Sequence, residues 1–413
     1  MTPTQLHRAE TYIRLLSEEI SSRRVGSPGN QAATKFFSDK MHGYGFTLDR
    51  TPFDCIDWRS DGVRLCVGAD NYEAFASPYS LGCDIQTQLK VCSTLEELRR
   101  IDASGKLLLM LGDLTREQLM PKNFPFYNPD SHKELIELLE HKQPLAIITA
   151  TSRDPNMVGS MYPFPVFEDG DFDIPSVYIT DKIGEHLAKY TEERVTLQSQ
   201  AQRISSHGWN VIARKGVNRT KRVVIFAHID SRIGTPGAND NATGVAVLLL
   251  LGELLVKPLK NLCVELVAVN GEDYYAAHGE KLFVAQNEGR FDEMLLGINL
   301  DVVGFTKGRA AYSLYDCPDI LSDPVHDVFA RYPSIIEGDA WYQGDHGLFL
   351  LNQVPALAIT SELLEELMAT ITHTPEDTAD KVDPHKLVDI AQALHAILLR
   401  LDRLEGEVSI NLK

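Results

Sequence analysis

Long apolar runs, paired cysteines and an excess of basic charge are all missing from this 413-residue sequence. Its longest apolar stretch, Gly244 to Val256, is interrupted by Gly252 and Glu253 and falls short of a bilayer span, so no membrane helix is expected. The opening MTPTQLHRAETYIRLL has neither the basic n-region nor the unbroken apolar core of a secretory signal. Six cysteines, at 55, 66, 83, 92, 263 and 317, show no C-x-x-C spacing. In a chain this long they read as scattered thiols in a reducing compartment, so the cytoplasm is the expected location. Lys and Arg number 40 against 58 Asp and Glu, a formal charge of −18. That balance argues against nucleic acid or an anionic membrane as partner. Also absent are the G-x-S-x-G elbow, the Walker A loop, the G-x-G-x-x-G fingerprint and H-E-x-x-H, which removes several common enzyme classes. No internal repeat or low-complexity tract is present.

What is there is ordinary for a globular protein, with 44% apolar and 24% charged residues, enough for one large core or two domains. Thr2 and Pro3 form an N-cap and N1 pair ahead of a helix whose Leu6, Tyr12, Leu15, Leu16 and Ile20 share a face. Gly26, Ser27, Pro28, Gly29 and Asn30 break that pattern, and a second helix is expected from about Gln31 to His42. From about residue 52 to 202 the texture turns to short β-like runs (105–111, 144–150, 176–181) between Pro-, Asp- and Gly-rich loops, with a helix at 131–141. Loops at 121–129 and 153–175 look long and exposed. The acidic cluster EDGDFD (168–173) lacks the ligand order of an EF-hand loop and reads as a solvated turn sooner than a calcium site. After Arg203, near-continuous apolar runs at 222–228, 262–270, 294–301 and 354–360 have the composition of strands buried on both faces. Helical patterns separate them at 241–256, 323–331 and 385–404, the second opening on Asp323 and Pro324 as cap and N1. The expected architecture is therefore α/β. A mostly parallel central sheet with helices on both faces is built from residues 1–51 and 203–413, and a smaller β-rich domain is inserted at 52–202.

Three of these strands end in metal-binding side chains: His228-Ile229-Asp230-Ser231, Asn270-Gly271-Glu272-Asp273 and Asn299-Leu300-Asp301. Open α/β sheets place ligands outside the carboxyl ends of their strands. Several carboxylates and a histidine gathered there would repel one another unless a cation balanced them. Gly237 to Gly244 adds a tight turn into a helix with Asp240 at its mouth, and Thr372 to Asp377 supplies His373 on a loop. Taken singly, Asp240 could be an N-cap, His373 a surface residue and Asp301 a turn residue. Their order and spacing together favour the metal reading.

The set H-x-D-S, G-A-N-D-N-A-T-G, G-E-D, N-L-D, G-D-H and H-T-P-E-D-T resembles the co-catalytic zinc exopeptidases of the bacterial leucyl aminopeptidase and aminopeptidase Y type, whose fold the glutaminyl cyclases share. The resemblance runs from about Lys221 to Pro384, and the inserted region is similar in texture to a protease-associated domain. It implies two divalent ions, zinc above all, with manganese or cobalt able to take the same ligands. His228 and Asp301 would hold one ion, Asp273 and His373 the other, and Asp240 would bridge them. Asp230 would accept the remaining ring N–H of His228. Glu272 would be the general base that takes a proton from a water bridging the two metals. Peptides with a free N-terminus are the implied substrates, and a homo-oligomer is possible.

Two departures stand out. The family's Glu-Glu pair is Glu272-Asp273 here, and its short glycine turn becomes the bulkier Tyr274 to Glu280, whose Tyr274 and Tyr275 either shape the pocket or pack. Trp341, Tyr342, Asp345 and His346 fall where the family places oxyanion and pocket groups, against a plain capping role, and Glu362 is a further candidate acid. Two competing readings remain. One is a cyclase-like aminoacyltransferase or non-peptide amidohydrolase, against which the full five-ligand set argues. The other is a decayed protein-binding module, against which the intact Glu272 argues.

Overall fold

The strand Arg222–His228 lies at the middle of an eight-stranded sheet and is buried along its whole length. Its neighbours Cys263–Val269 and Met294–Leu300 run parallel to it, and Ala356–Ser361 runs parallel to the latter. Antiparallel strands extend both sides: Val211–Gly216 and Thr47–Asp49 on one, Ala310–Tyr315 on the other, the last followed by Ile335–Glu337. The register pairs His228 with Val269 and Phe226 with Asn299. The three central strands therefore end at one rim, and whatever follows His228, Val269 and Leu300 in sequence is delivered there. This is the expected α/β sheet, seen in a computed structural model that describes residues 3–20, 22–153 and 161–411, the last five for their backbone alone.

The apolar runs form strands because both faces are covered. On one face the helix Thr243–Leu254, with every residue from Thr243 to Gly252 buried, packs with Pro3–Arg14, Pro28–Gly43 and the long C-terminal helix Pro384–Asn411. On the other, Phe226, Phe283 and Phe349 meet at ring separations of 4.5 and 5.0 Å from Phe226. Among the described residues no helix is long and apolar enough to cross a membrane. The six cysteines are free thiols.

Contacts divide the chain into two units, one of residues Met1–Phe53, His207–Tyr274 and His278–Lys413, the other of Asp54–Ser206 with Tyr275–Ala277. The second has its own eight-stranded sheet, in which Cys83–Cys92, Leu107–Met110, Ala146–Thr151 and Ser176–Thr180 run parallel. Alternation sets its faces: Leu108, Met110 and Ile147 meet the helix Asp130–Lys142, while Leu107, Leu109 and Ile148 meet Leu187 on the opposite side.

Several local expectations change. The helix expected to open at Asp323-Pro324 spans Asp319–Phe329, because the Pro318 carbonyl already accepts from Leu321 and Ser322 and closes a turn before the proline. Two 16-residue strands, Pro52–Val67 and Arg194–Trp209, replace what read as short runs and loop. The loop expected to be exposed is partly core, with Phe164, Val166, Phe167 and Phe172 packed inside. The acidic stretch 168–173 is not the solvated turn expected: Glu168 and Asp169 are buried, Asp169 accepting from the Lys122 and Asp171 backbone N–H groups, while exposed Asp173 pairs with Arg203. Thr2, and residues 154–160 of the loop expected at 153–175, lie outside the described residues.

Candidate metal centre

His228 is the last residue of its strand, and Asp301 directly follows Met294–Leu300. Asp240 sits in the turn Ala238–Ala242 that feeds the helix Thr243–Leu254, and its peptide bond to Asn241 is cis. Glu272 and Asp273 follow Cys263–Val269, and His373 follows the helix Leu364–Thr370 in a left-handed conformation, φ +60°. Elements far apart in sequence thus bring six ligand-type side chains to one rim.

Their geometry is organised around Asp240. One carboxylate oxygen lies 3.1 Å from His228 Nε2, and the other lies 3.0 Å from His373 Nε2. His228 Nε2 is 3.5 Å from Asp301, and His373 Nε2 is 3.2 Å from Asp273. Two clusters follow, His228–Asp240–Asp301 and Asp240–Asp273–His373, each with ligand atoms within 4.8 Å of one another and with Asp240 in common. Donors about 2.0–2.2 Å from a tetrahedral zinc stand roughly 3.3–3.6 Å apart, close to the separations seen. Both ring nitrogens of His228, Asp273 Oδ2 and Asp301 Oδ1 are buried with no hydrogen-bond partner. Such atoms are costly unless something else satisfies them. The donor set, two imidazoles and three carboxylates, fits a pair of borderline divalent ions.

The charges are tuned by crowding. Burial pushes the Asp240 carboxyl up, but its contacts with His228 and His373 outweigh that and hold it well below the usual range. Glu272 is raised well above the ordinary value, first by burial, with His228 opposing and Asp273, Asp301 and Asp345 reinforcing. Glu272 also lies within 4.8 Å of ligand atoms on His228 and Asp273.

Asp230 behaves differently from the sequence expectation. It stands 3.8 Å from His228 Nδ1, beyond hydrogen-bond range, because its oxygens are taken by backbone. Oδ1 accepts from the Gly271 N–H at 2.9 Å and Oδ2 from the Asp273 N–H at 3.0 Å. These two amides flank Glu272, so Asp230 fixes the loop that carries it.

The pocket candidates separate. Asp345 and His346 are buried, and Asp301 is among the charges that act on each. His346 donates through Nε2 to the Trp341 carbonyl at 2.8 Å, and the Tyr315 hydroxyl holds the Trp341 backbone. Tyr342 is 74% exposed, its ring 5.7 Å from Tyr315. Tyr274 packs beside His278 in the first unit and Tyr275 on Tyr79 in the second. Glu362 is tied to Arg309 through the arginine's backbone N–H, Nε and Nη2, which makes it half of a surface ion pair.

Four residues went unread in the sequence. Asn270 is a buried hub that accepts from Asn30 and donates to Thr34 and the Trp209 carbonyl. Asp377 accepts from the Asn239 and Asp240 N–H groups at 2.8 and 3.0 Å, and its membership of the H-T-P-E-D-T stretch was the available signal. Glu280 is buried with Oε2 unpartnered and close to Gly271. Arg23 is buried against backbone carbonyls, and nothing in its sequence context marks it.

Residues 210–398 match the profile of Peptidase family M28, which bears out the resemblance to the zinc exopeptidases. Aminopeptidase YwaD of Bacillus subtilis is 23% identical over 332 residues, 76% of this chain and 65% of that one. The probable lipoprotein aminopeptidase LpqL of Mycobacterium tuberculosis is 26% identical over 239 residues, 55% of this chain and 44% of that one. The chain thus matches less than two thirds of the length of either relative. In fold it is similar to BSAP, a zinc aminopeptidase from Bacillus subtilis, with TM-score 0.74 at 19% identity over 96% of this chain and 95% of that one. It is also similar to the glutaminyl cyclase of Fimbriiglobus ruber, with TM-score 0.52 at 14% identity over 97% and 96%.

Proposed function

We propose that this chain, whose residues 210–398 match Peptidase family M28, is a metal-dependent aminopeptidase that hydrolyses the N-terminal peptide bond of its substrates. The observation that carries the reading is Asp240, which offers one carboxylate oxygen to the neighbourhood of each histidine. His228 and Asp301 would hold one divalent ion, Asp273 and His373 the second, with Asp240 shared between the two groups. Zinc is the preferred ion for this donor set, with manganese and cobalt as substitutes. Once bound, the pair supplies a water of lowered pKa and a polarised scissile carbonyl.

The chain's own residues do the rest. Glu272 takes the water's proton on its carboxylate and passes it to the leaving amine. Asp230 holds that carboxylate in place by gripping the amides on either side of it. The carboxylate ligands of one ion, with Asp273, itself only partly buried, among them, would take the free amino group of the substrate together with that ion, which would confine cleavage to the N-terminus. Six free thiols fit a reducing compartment, and the cytoplasm is the proposed location.

Metal analysis combined with a panel of aminoacyl amides, with and without chelator, tests the proposal. Two ions per chain and chelator-sensitive release of N-terminal residues are expected. One ion with cyclisation of an N-terminal glutamine would replace the aminopeptidase by a cyclase. Neither metal nor turnover would leave a binding module.

A further inference from the structure

We infer that Arg23 is a positioning residue for the metal centre, gripping the backbone of the two loops that present His228 and Asp240 and so fixing the distance between those side chains. The inference rests on the reading that these two residues are ligands.

Arg23 is 1% exposed. A buried arginine ordinarily meets a carboxylate, since an unpaired charge away from water is costly. Here the guanidinium is spread over main-chain oxygens. Nε donates to the Ile229 carbonyl at 3.0 Å, between His228 and Asp230. Nη1 donates to the Pro236 carbonyl at 2.8 Å and also to that of Leu16, and Nη2 donates to the Gly237 carbonyl at 2.7 Å. A Cβ on Gly237 would lie 2.7 Å from Nη2, so the loop approaches this closely because residue 237 has no side chain.

The opposite edge of the same loop is held by Asp377, which accepts from the Asn239 and Asp240 amides. Residues 236–240 are therefore pinned by a cation on their carbonyls and an anion on their amides. Burial pushes the guanidinium pKa down, and the carboxylates of Asp377, Asp240, Asp230 and Asp273 counter that only in part. The planar fork matters as much as the charge. Lysine has a single nitrogen and cannot span Ile229, Pro236 and Gly237 together.

Charge and geometry predict opposite signs, which makes the inference testable. Were Arg23 only a cation in the field of the carboxylates, Arg23→Met would tighten dication binding by removing a repulsive neighbour, and Arg23→Lys would leave it unchanged. As a positioning residue, both variants should bind zinc more weakly, by about 10–100-fold, the usual scale for an outer partner of a metal ligand. Full-length wild type, Arg23→Lys and Arg23→Met would be stripped of metal, titrated with zinc against a chromophoric chelator, and loaded with cobalt for visible absorption. Thermal melts of the metal-free proteins would report folding separately. Weaker zinc binding and a shifted cobalt spectrum in Arg23→Lys, with a wild-type-like melt, are expected. Unchanged or tighter binding in that variant would overturn the inference while leaving the metal centre standing. Failure of Arg23→Lys to fold would make the residue a core element and also overturn it. A wild-type protein that binds no zinc would sink both readings.

Discussion

Replacing Glu272 by glutamine removes the proposed proton acceptor and disturbs little else. The two bonds that shape its loop run from the Gly271 and Asp273 backbone amides to Asp230, so neither depends on the Glu272 side chain. Glutamine keeps the size and reach of glutamate, which preserves packing near His228 and Asp273. What is lost is a basic oxygen, and general-base catalysis contributes about 10²–10⁴-fold to turnover. At about 1.4 kcal/mol per decade that is roughly 3–5 kcal/mol of transition-state stabilisation. The assay is kcat on an aminoacyl amide beside zinc content by emission spectrometry. The expected result is kcat down by at least about 100-fold with two ions retained. A variant within tenfold of wild type would remove Glu272 as the base. A variant that loses an ion would make it a ligand instead, an outcome its place within 4.8 Å of His228 and Asp273 ligand atoms makes a sharp alternative.

Asp240→Ala should cost both ions, because each cluster loses its shared member; two ions per chain in that variant would exclude the bridge. Asp230→Asn leaves one of the two backbone amides facing an NH₂ group, a loss of about 1–3 kcal/mol. It should lower kcat more than it lowers zinc affinity, and equal effects on both would refute the loop-holding role. Chelator should lower the melting temperature of the wild type as well as its activity, since a ligand at 100 times its Kd stabilises by about 2.7 kcal/mol; an unchanged melt would argue against bound metal. Leu248→Ala, at a fully buried position of the helix behind Asp240, should destabilise by about 2–5 kcal/mol in denaturant titration. A cost below about 1 kcal/mol would mean that the helix is not the packed support it is taken for.

The central strands were readable because burial on both faces leaves an unambiguous run such as Val223 to Ala227. The clustering was readable because a parallel sheet converts three strand ends into one place, so His228, Glu272, Asp273 and Asp301 needed no tertiary knowledge to be grouped. What escaped depended on partners no local pattern specifies. Arg194–Trp209 is half-exposed along most of its length and lacks the apolar continuity that marked the central strands. Asp230 could be placed near His228 by spacing alone, but the two amides that compete for it come from residues 271 and 273. Glu362 looked like a site acid until Arg309, 53 positions away, claimed it. Arg23 carries no local signal because its acceptors are main-chain oxygens, which every residue has.

The bond from Arg23 to Ile229 joins positions 206 apart, and Thr47 pairs with Arg214 across the edge of the sheet. Contact order at the rim is thus high, and closing so long a loop has to precede any reward from the contacts it makes. During translation, the first fifty residues must wait for more than 150 others before their partners exist. The turns after His228 and before Asp240 reach their contacts with Arg23 only once that early segment has docked on them.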